Sequence, residues 1–111
     1  ETELATARDP VLVFVHQRLD GTGDLHVKNA ADVRRVLEAS RKVLAVFQGH
    51  SHQNELAMVG GIPYLVVRAL VEEAGPATNA FAIVEGMPDH RIAVRGAYRQ
   101  ATVPQLGAQT R

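Results

Sequence analysis

The chain has 111 residues, 46% of them hydrophobic and 22% charged, the makeup of one folded domain rather than two, or of a disordered chain. Twelve basic and twelve acidic side chains cancel, so net charge points to neither a nucleic-acid polymer nor a membrane surface as partner. The absence of cysteine excludes disulfides and thiolate metal sites, leaving nitrogen and oxygen as the metal ligands on offer.

Residues 1–10 are polar and end in Asp9-Pro10, a breaker that marks them as a linker. Residues 11–15 are continuously apolar and rich in valine, the pattern of a strand buried on both faces. His16 ends that strand. Within 17–28, Asp20-Gly21-Thr22-Gly23-Asp24 reads as a mobile surface loop. Asn29 suits an N-cap and Asp32 the first turn of a helix. Val33, Val36 and Leu37 follow at helical spacing, predicting an amphipathic helix over 30–40. Residues 43–47 form a second apolar run that leads straight into Gly49-His50-Ser51-His52. Strand, helix, strand predicts a right-handed crossover between parallel strands. Both strands then end on histidines at one sheet edge, where α/β sheets carry their ligand sites.

Downstream, residues 55–59, 62–69, 79–85 and 91–95 read as strands divided by turns at Gly60-Gly61, Gly75-Pro76 and Pro88-Asp89, largely as antiparallel hairpins. Residues 101–111 lack periodicity and read as a loose tail. The longest apolar runs, 11–15 and 62–67, are too short to span a bilayer, and neither end reads as a signal peptide. A soluble protein, cytoplasmic in preference to secreted, is the expectation.

Side chains two apart in an extended segment point the same way, so His50 and His52 are expected to converge on one side of the chain. Imidazoles placed like this suit zinc, manganese or iron, and Gly49 permits a sharp turn and a close backbone approach before them. Alone, His-x-His reads as two polar residues in a turn, and His16 as a strand cap. Together at one sheet edge, the three read as metal ligands. Three histidines and a water suffice for a mononuclear zinc hydrolase, so that alternative stays open here. Arg18 is a candidate to neutralise a phosphate, His26 and Asn54 to touch substrate, and Asn54 and Asp20 to reach a metal; each also reads simply as a surface side chain. His90 reads as part of a hairpin turn, and Arg68, Glu72 and Glu73 as the exposed end of a strand.

An apolar strand ending in histidine, a helix, and an apolar strand ending in Gly49-His50-Ser51-His52 resembles the C-terminal half of calcineurin-like metallophosphoesterases. The resemblance continues through Asn29 to Glu38, Val46 to Asn54, Gly61-Ile62-Pro63-Tyr64 and Asn79 to Val84. It covers 11–94, and looks most like the branch that cleaves phosphodiesters or diphosphates of nucleotides and related small molecules. It implies an α/β fold, the C-terminal lobe of a two-sheet sandwich over 11–100 with one crossover helix followed by antiparallel strands. The implied activity is metal-dependent phosphoester hydrolysis, with a small phosphoester as substrate, by two ions of manganese, iron or zinc. The resemblance assigns His16 and His50 to one ion and His52 to the other.

The family's remaining ligands come from an upstream Asp-x-His, a Gly-Asp and a Gly-Asn-His, which this chain lacks. Gly23-Asp24 resembles the Gly-Asp motif but follows His16 instead of preceding it. The expectation is therefore a C-terminal fragment or lobe of a longer enzyme, inactive alone, whose partner is the N-terminal half of the same protein. The alternatives are a non-catalytic metal-binding or interaction module and a structural half that pairs with its own copy through an exposed sheet.

Overall fold

The computed structural model describes residues 1–70 and 72–106. The polar lead-in is not a plain linker: it carries a short helix, α1 (Thr2–Thr6). Lys42 Nζ holds the end of that helix by donating to the carbonyls of Leu4, Ala5 and Ala7 at 2.6, 3.0 and 2.8 Å. The first apolar run becomes β1 (Val11–Val15), followed by α2 (Ala30–Ser40) and β2 (Val43–Gln48). Asn29 takes the N-cap position of α2 without a side-chain cap bond, and Arg41 ends the helix in the left-handed conformation. Then come β3 (Glu55–Val59), β4 (Ile62–Val66), a 3-10 turn at Pro76–Thr78, β5 (Ala80–Gly86), β6 (Ile92–Tyr98) and β7 (Val103–Leu106).

Four strands form one sheet in the order β1-β2-β4-β3, and three form another in the order β5-β6-β7. β1 and β2 pair in parallel, as a strand-helix-strand crossover requires. β4 ends at Val66, earlier than its sequence suggests, and pairs in parallel with β2 as well as antiparallel with β3. The downstream strands therefore pair antiparallel as expected, except that β4 also extends the parallel set. β7 occupies part of the expected tail: Leu106 pairs with Ile92 and Val103 with Val94, while 107–111 lie outside the described residues.

The layers follow from side-chain alternation. Val46, Ile62 and Tyr64 point to the α2 side and pack with Leu37, Ala30 and Leu19. Ala45, Phe47 and Leu65 point the other way and pack with Ile92, Val94 and Leu106 of the second sheet. β2 and β4 are thus covered on both faces, and each fully buried valine or isoleucine contributes about 1.5–3 kcal/mol. β1 differs from expectation. It lies at the sheet edge, and Phe14 is 68% exposed although it stacks on Phe47 at 5.1 Å between ring centroids. No helix among the described residues is long and apolar enough to cross a membrane.

Candidate metal centre

Because β1, β2 and β4 are parallel, their C-terminal ends share one edge of the sheet. The edge is laced together just beyond the strands. The Gly49 N–H donates to the His16 carbonyl at 3.0 Å, and the Val67 N–H to the Gln48 carbonyl at 2.7 Å. This lacing brings the His50 Nδ1 to 3.2 Å from the His16 Nε2, with the rings edge-to-face at 71°. For metal–nitrogen bonds of about 2.0–2.1 Å, such a separation subtends about 100° at a shared ion. That angle lies between those of tetrahedral and octahedral neighbours, so the pair fits as two ligands of one ion.

The turn that presents these rings is not extended, which corrects the basis for expecting His50 and His52 to converge. His50 has φ of 71° and His52 of 55°, left-handed conformations that cost a non-glycine residue about 1–3 kcal/mol. Gly49 is not the residue that bends: its φ is not left-handed, and an added Cβ would meet the His16 carbonyl oxygen at an ordinary 3.4 Å. The two histidines consequently part company. His52 turns to Glu72, with Nδ1 3.3 Å from each carboxylate oxygen, and Arg68 faces the same carboxylate at 3.8 Å. Glu72 and Arg68 are therefore not simply the exposed end of a strand, as their polar interruption of an apolar run suggested. No local signal marks Glu72; only the chain's return after β4 places it beside the histidine turn.

The other candidates are occupied structurally. The Asp20 loop is tied down, not loose. Arg18 donates Nε and Nη2 to the Asp20 carboxylate at 2.9 and 2.7 Å, and Nη2 also reaches Glu55 at 2.7 Å. Burial pushes the Asp20 carboxyl up, but the hydrogen bonds and charge of Arg18 outweigh it and hold the group below the ordinary carboxylate range. Hydrogen bonds to Asp20 and Glu55 raise the Arg18 pKa further. Facing two carboxylates, Arg18 has its charge neutralised within the protein; its third contact is to the Ser51 hydroxyl, between the two histidines, at 3.4 Å. His26 sits 3.4 Å from Asp20 inside this network. The Leu19 N–H donates to the buried Gln48 side-chain oxygen at 2.8 Å. Asn54 uses both ends of its amide, donating to the Arg99 carbonyl at 2.7 Å and accepting from the Ala101 N–H at 2.9 Å, and so fastens one sheet to the other. His90 lies in a turn, as its neighbours Pro88 and Asp89 suggest.

Among the described residues, no group of three or more histidine, aspartate or glutamate side chains converges closely enough to hold a metal ion. What the chain assembles is a pair, His16 and His50, and beside it a histidine–carboxylate contact, His52 and Glu72.

No protein-family model matches the chain, and no curated protein matches its sequence. Its fold does match a solved structure, that of a dimetal phosphatase from Danio rerio, with a TM-score of 0.75 and 23% identity. The match covers 89% of this chain and 32% of that one. The chain thus spans about a third of the length of the phosphatase whose fold it shares.

Proposed function

We propose that this chain is the C-terminal part of a metal-dependent phosphoric-ester hydrolase, of the branch that acts on small phosphodiesters or diphosphates. The observation that carries the reading is the 3.2 Å approach of His50 Nδ1 to His16 Nε2 at the shared C-terminal edge of parallel strands. The dimetal phosphatase that shares the fold supports the same chemistry. His16 and His50 would hold one ion and His52 the other. The departure of His52 toward Glu72 favours this two-ion division over a mononuclear zinc site built on three histidines. The ions, of manganese, iron or zinc, would supply a nucleophile at neutral pH and stabilise charge on the transferring phosphoryl group. This chain's part is to hold imidazole nitrogens at a fixed spacing, which the strand-end hydrogen bonds and the Arg18–Asp20 network do.

The pair is an incomplete donor set for a catalytic ion, which commonly has three protein ligands. The missing donors, the bridging carboxylate above all, would come from polypeptide outside these 111 residues. That polypeptide would also cover the β1 edge and Phe14. The decisive assay is hydrolysis of bis(p-nitrophenyl) phosphate with added manganese, by this chain and by the longest product of its gene, each beside His50→Ala. The expected result is turnover only by the longer product, abolished by the substitution. Turnover by the 111-residue chain, or a longer product that binds metal and stays inert, would overturn the reading.

A further inference from the structure

We infer that Tyr98, Phe81 and Arg99 form a binding site for the planar base and the phosphate of a nucleotide. As a substrate site it rests on the proposed function and deepens it, holding the nucleoside arm of a small phosphodiester or diphosphate. Tyr98 ends β6, and the Gln100 N–H donates to the Ala97 carbonyl at 3.1 Å. Residues 97–100 are therefore a tight turn with Tyr98 at its first central position. There φ is 55°, while that of Arg99 is not positive, the pattern of a type II′ turn, whose first central position favours glycine. A bulky residue in the left-handed region is a strained outlier, and such outliers collect at ligand sites. Burial does not repay the strain. The Tyr98 ring is 64% exposed, and it meets Phe81, itself 43% exposed, edge-to-face at 5.9 Å between centroids.

The surroundings say what the rings are presented to. Exposed aromatic side chains take a nucleotide base by stacking, which every base offers through its π-face. Arg99, next in the turn, forms no ion pair among the described residues, whereas Arg18, Arg35, Arg68, Arg91 and Arg95 each face a carboxylate. An unpaired guanidinium beside two rings complements a phosphate joined to a base; an apolar segment or a second copy of the chain would gain nothing from that charge. The turn is also bolted to the candidate centre. Asn54, two residues beyond His52, donates to the Arg99 carbonyl at 2.7 Å and accepts from the Ala101 N–H at 2.9 Å. The Gln100 side chain accepts from the Arg68 N–H at 2.9 Å, just beyond the C-terminal end of β4. The aromatic pair therefore belongs to the same end of the molecule as the histidine turn.

The test is proton NMR of the aromatic rings while the chain is titrated, without metal, with AMP, adenosine or ribose 5-phosphate. Of the two tyrosines, Tyr64 is fully buried, so the Tyr98 signals report on the surface alone. AMP should move the Tyr98 and Phe81 signals saturably, adenosine with lower affinity, and ribose 5-phosphate not at all. Tyr98→Gly should lower AMP affinity about tenfold or more, yet keep or raise the melting temperature because the turn is relieved. Tyr98→Phe, which keeps a ring, should keep the affinity. Arg99→Gln should weaken AMP severalfold and leave adenosine unchanged. AMP affinity unchanged in Tyr98→Gly would overturn the inference, as would a melting temperature that falls with the affinity, the mark of a tyrosine placed for packing. Ring signals that follow protein concentration alone would give the surface to a second copy and overturn it too. The two readings fail separately: with no metal present, AMP binding is indifferent to His16→Ala and His50→Ala, and zinc uptake is indifferent to Tyr98→Gly.

Discussion

A histidine with φ of 71°, as at position 50, places its Cβ against the following carbonyl, a clash that glycine avoids at a gain of about 1–2 kcal/mol. His50→Gly should therefore be more stable than His50→Ala by about 1 kcal/mol in urea unfolding, although both remove the ring that faces His16. Equal stabilities would show that the turn is not strained. Asp20 offers a second test. Its side chain is 2% exposed and paired to Arg18, so Asp20→Asn should cost about 2–3 kcal/mol, less than a wholly orphaned ion because Arg18 keeps Glu55. The sign of the pH dependence follows from the depressed folded pKa. The stabilisation is complete above the ordinary aspartate value of 3.8 and is lost as pH falls through the lower folded value. Acid unfolding of the wild type should steepen below about pH 4, and Asp20→Asn should lack that component; identical acid limbs would contradict it. The meeting of His16 and His50 at one sheet edge and the turn at His90 were legible in the residues, because each sits at an abrupt change of pattern. The roles of Asn54 and Glu72 were not, because each depends on a partner more than 15 positions away, Arg99 and Ala101 for one and His52 for the other; Arg18 has Asp20 two positions on, but its reach to Ser51 and Glu55 is equally distant in sequence.

At the scale of elements, β6 can bend into β7 only because residue 96 has no side chain. A Cβ there would lie 2.0 Å from the Gln100 carbonyl oxygen and 2.6 Å from that of Ala101, backbone atoms with little freedom to yield. Gly96→Ala should destabilise the domain by about 2–4 kcal/mol. Gly86→Ala, whose added methyl meets nothing within 4 Å, should change it by less than about 0.5 kcal/mol. Thermal unfolding of the two variants checks this, and equal melting temperatures would contradict it. The bounds of β1 and α2 follow from apolar runs and helical spacing, both local. β7 escaped notice because Val103-Pro104-Gln105-Leu106 has little alternation and an internal proline; pairing with β6 across Ile92 and Val94 makes it a strand. The parallel pairing of β4 with β2 escaped for a similar reason, since the β3 hairpin intervenes between them in sequence.

Across the whole molecule, the sandwich is well filled at its centre and open on one side. A crevice of about 480 Å³ runs from Phe14 and Phe47 to Ala82 and Val84 and reaches His16 and Gly49 at the sheet edge. Under the proposed function, this is where further polypeptide closes the enzyme. The chain alone carries an open strand edge beside an exposed aromatic ring, an arrangement that favours association. Phe14→Ser should therefore leave the melting temperature within a few degrees, since the ring is 68% exposed, while reducing association in light scattering at high concentration. A wild type that stays monomeric throughout would count against an open apolar edge. The central claim is that His16 and His50 together hold a metal ion, and zinc titration by calorimetry tests it most directly. The wild type and the turn variant His90→Ala should bind alike, whereas His16→Ala and His50→Ala should each lose most of the affinity. Binding indifferent to both of those substitutions would contradict the claim.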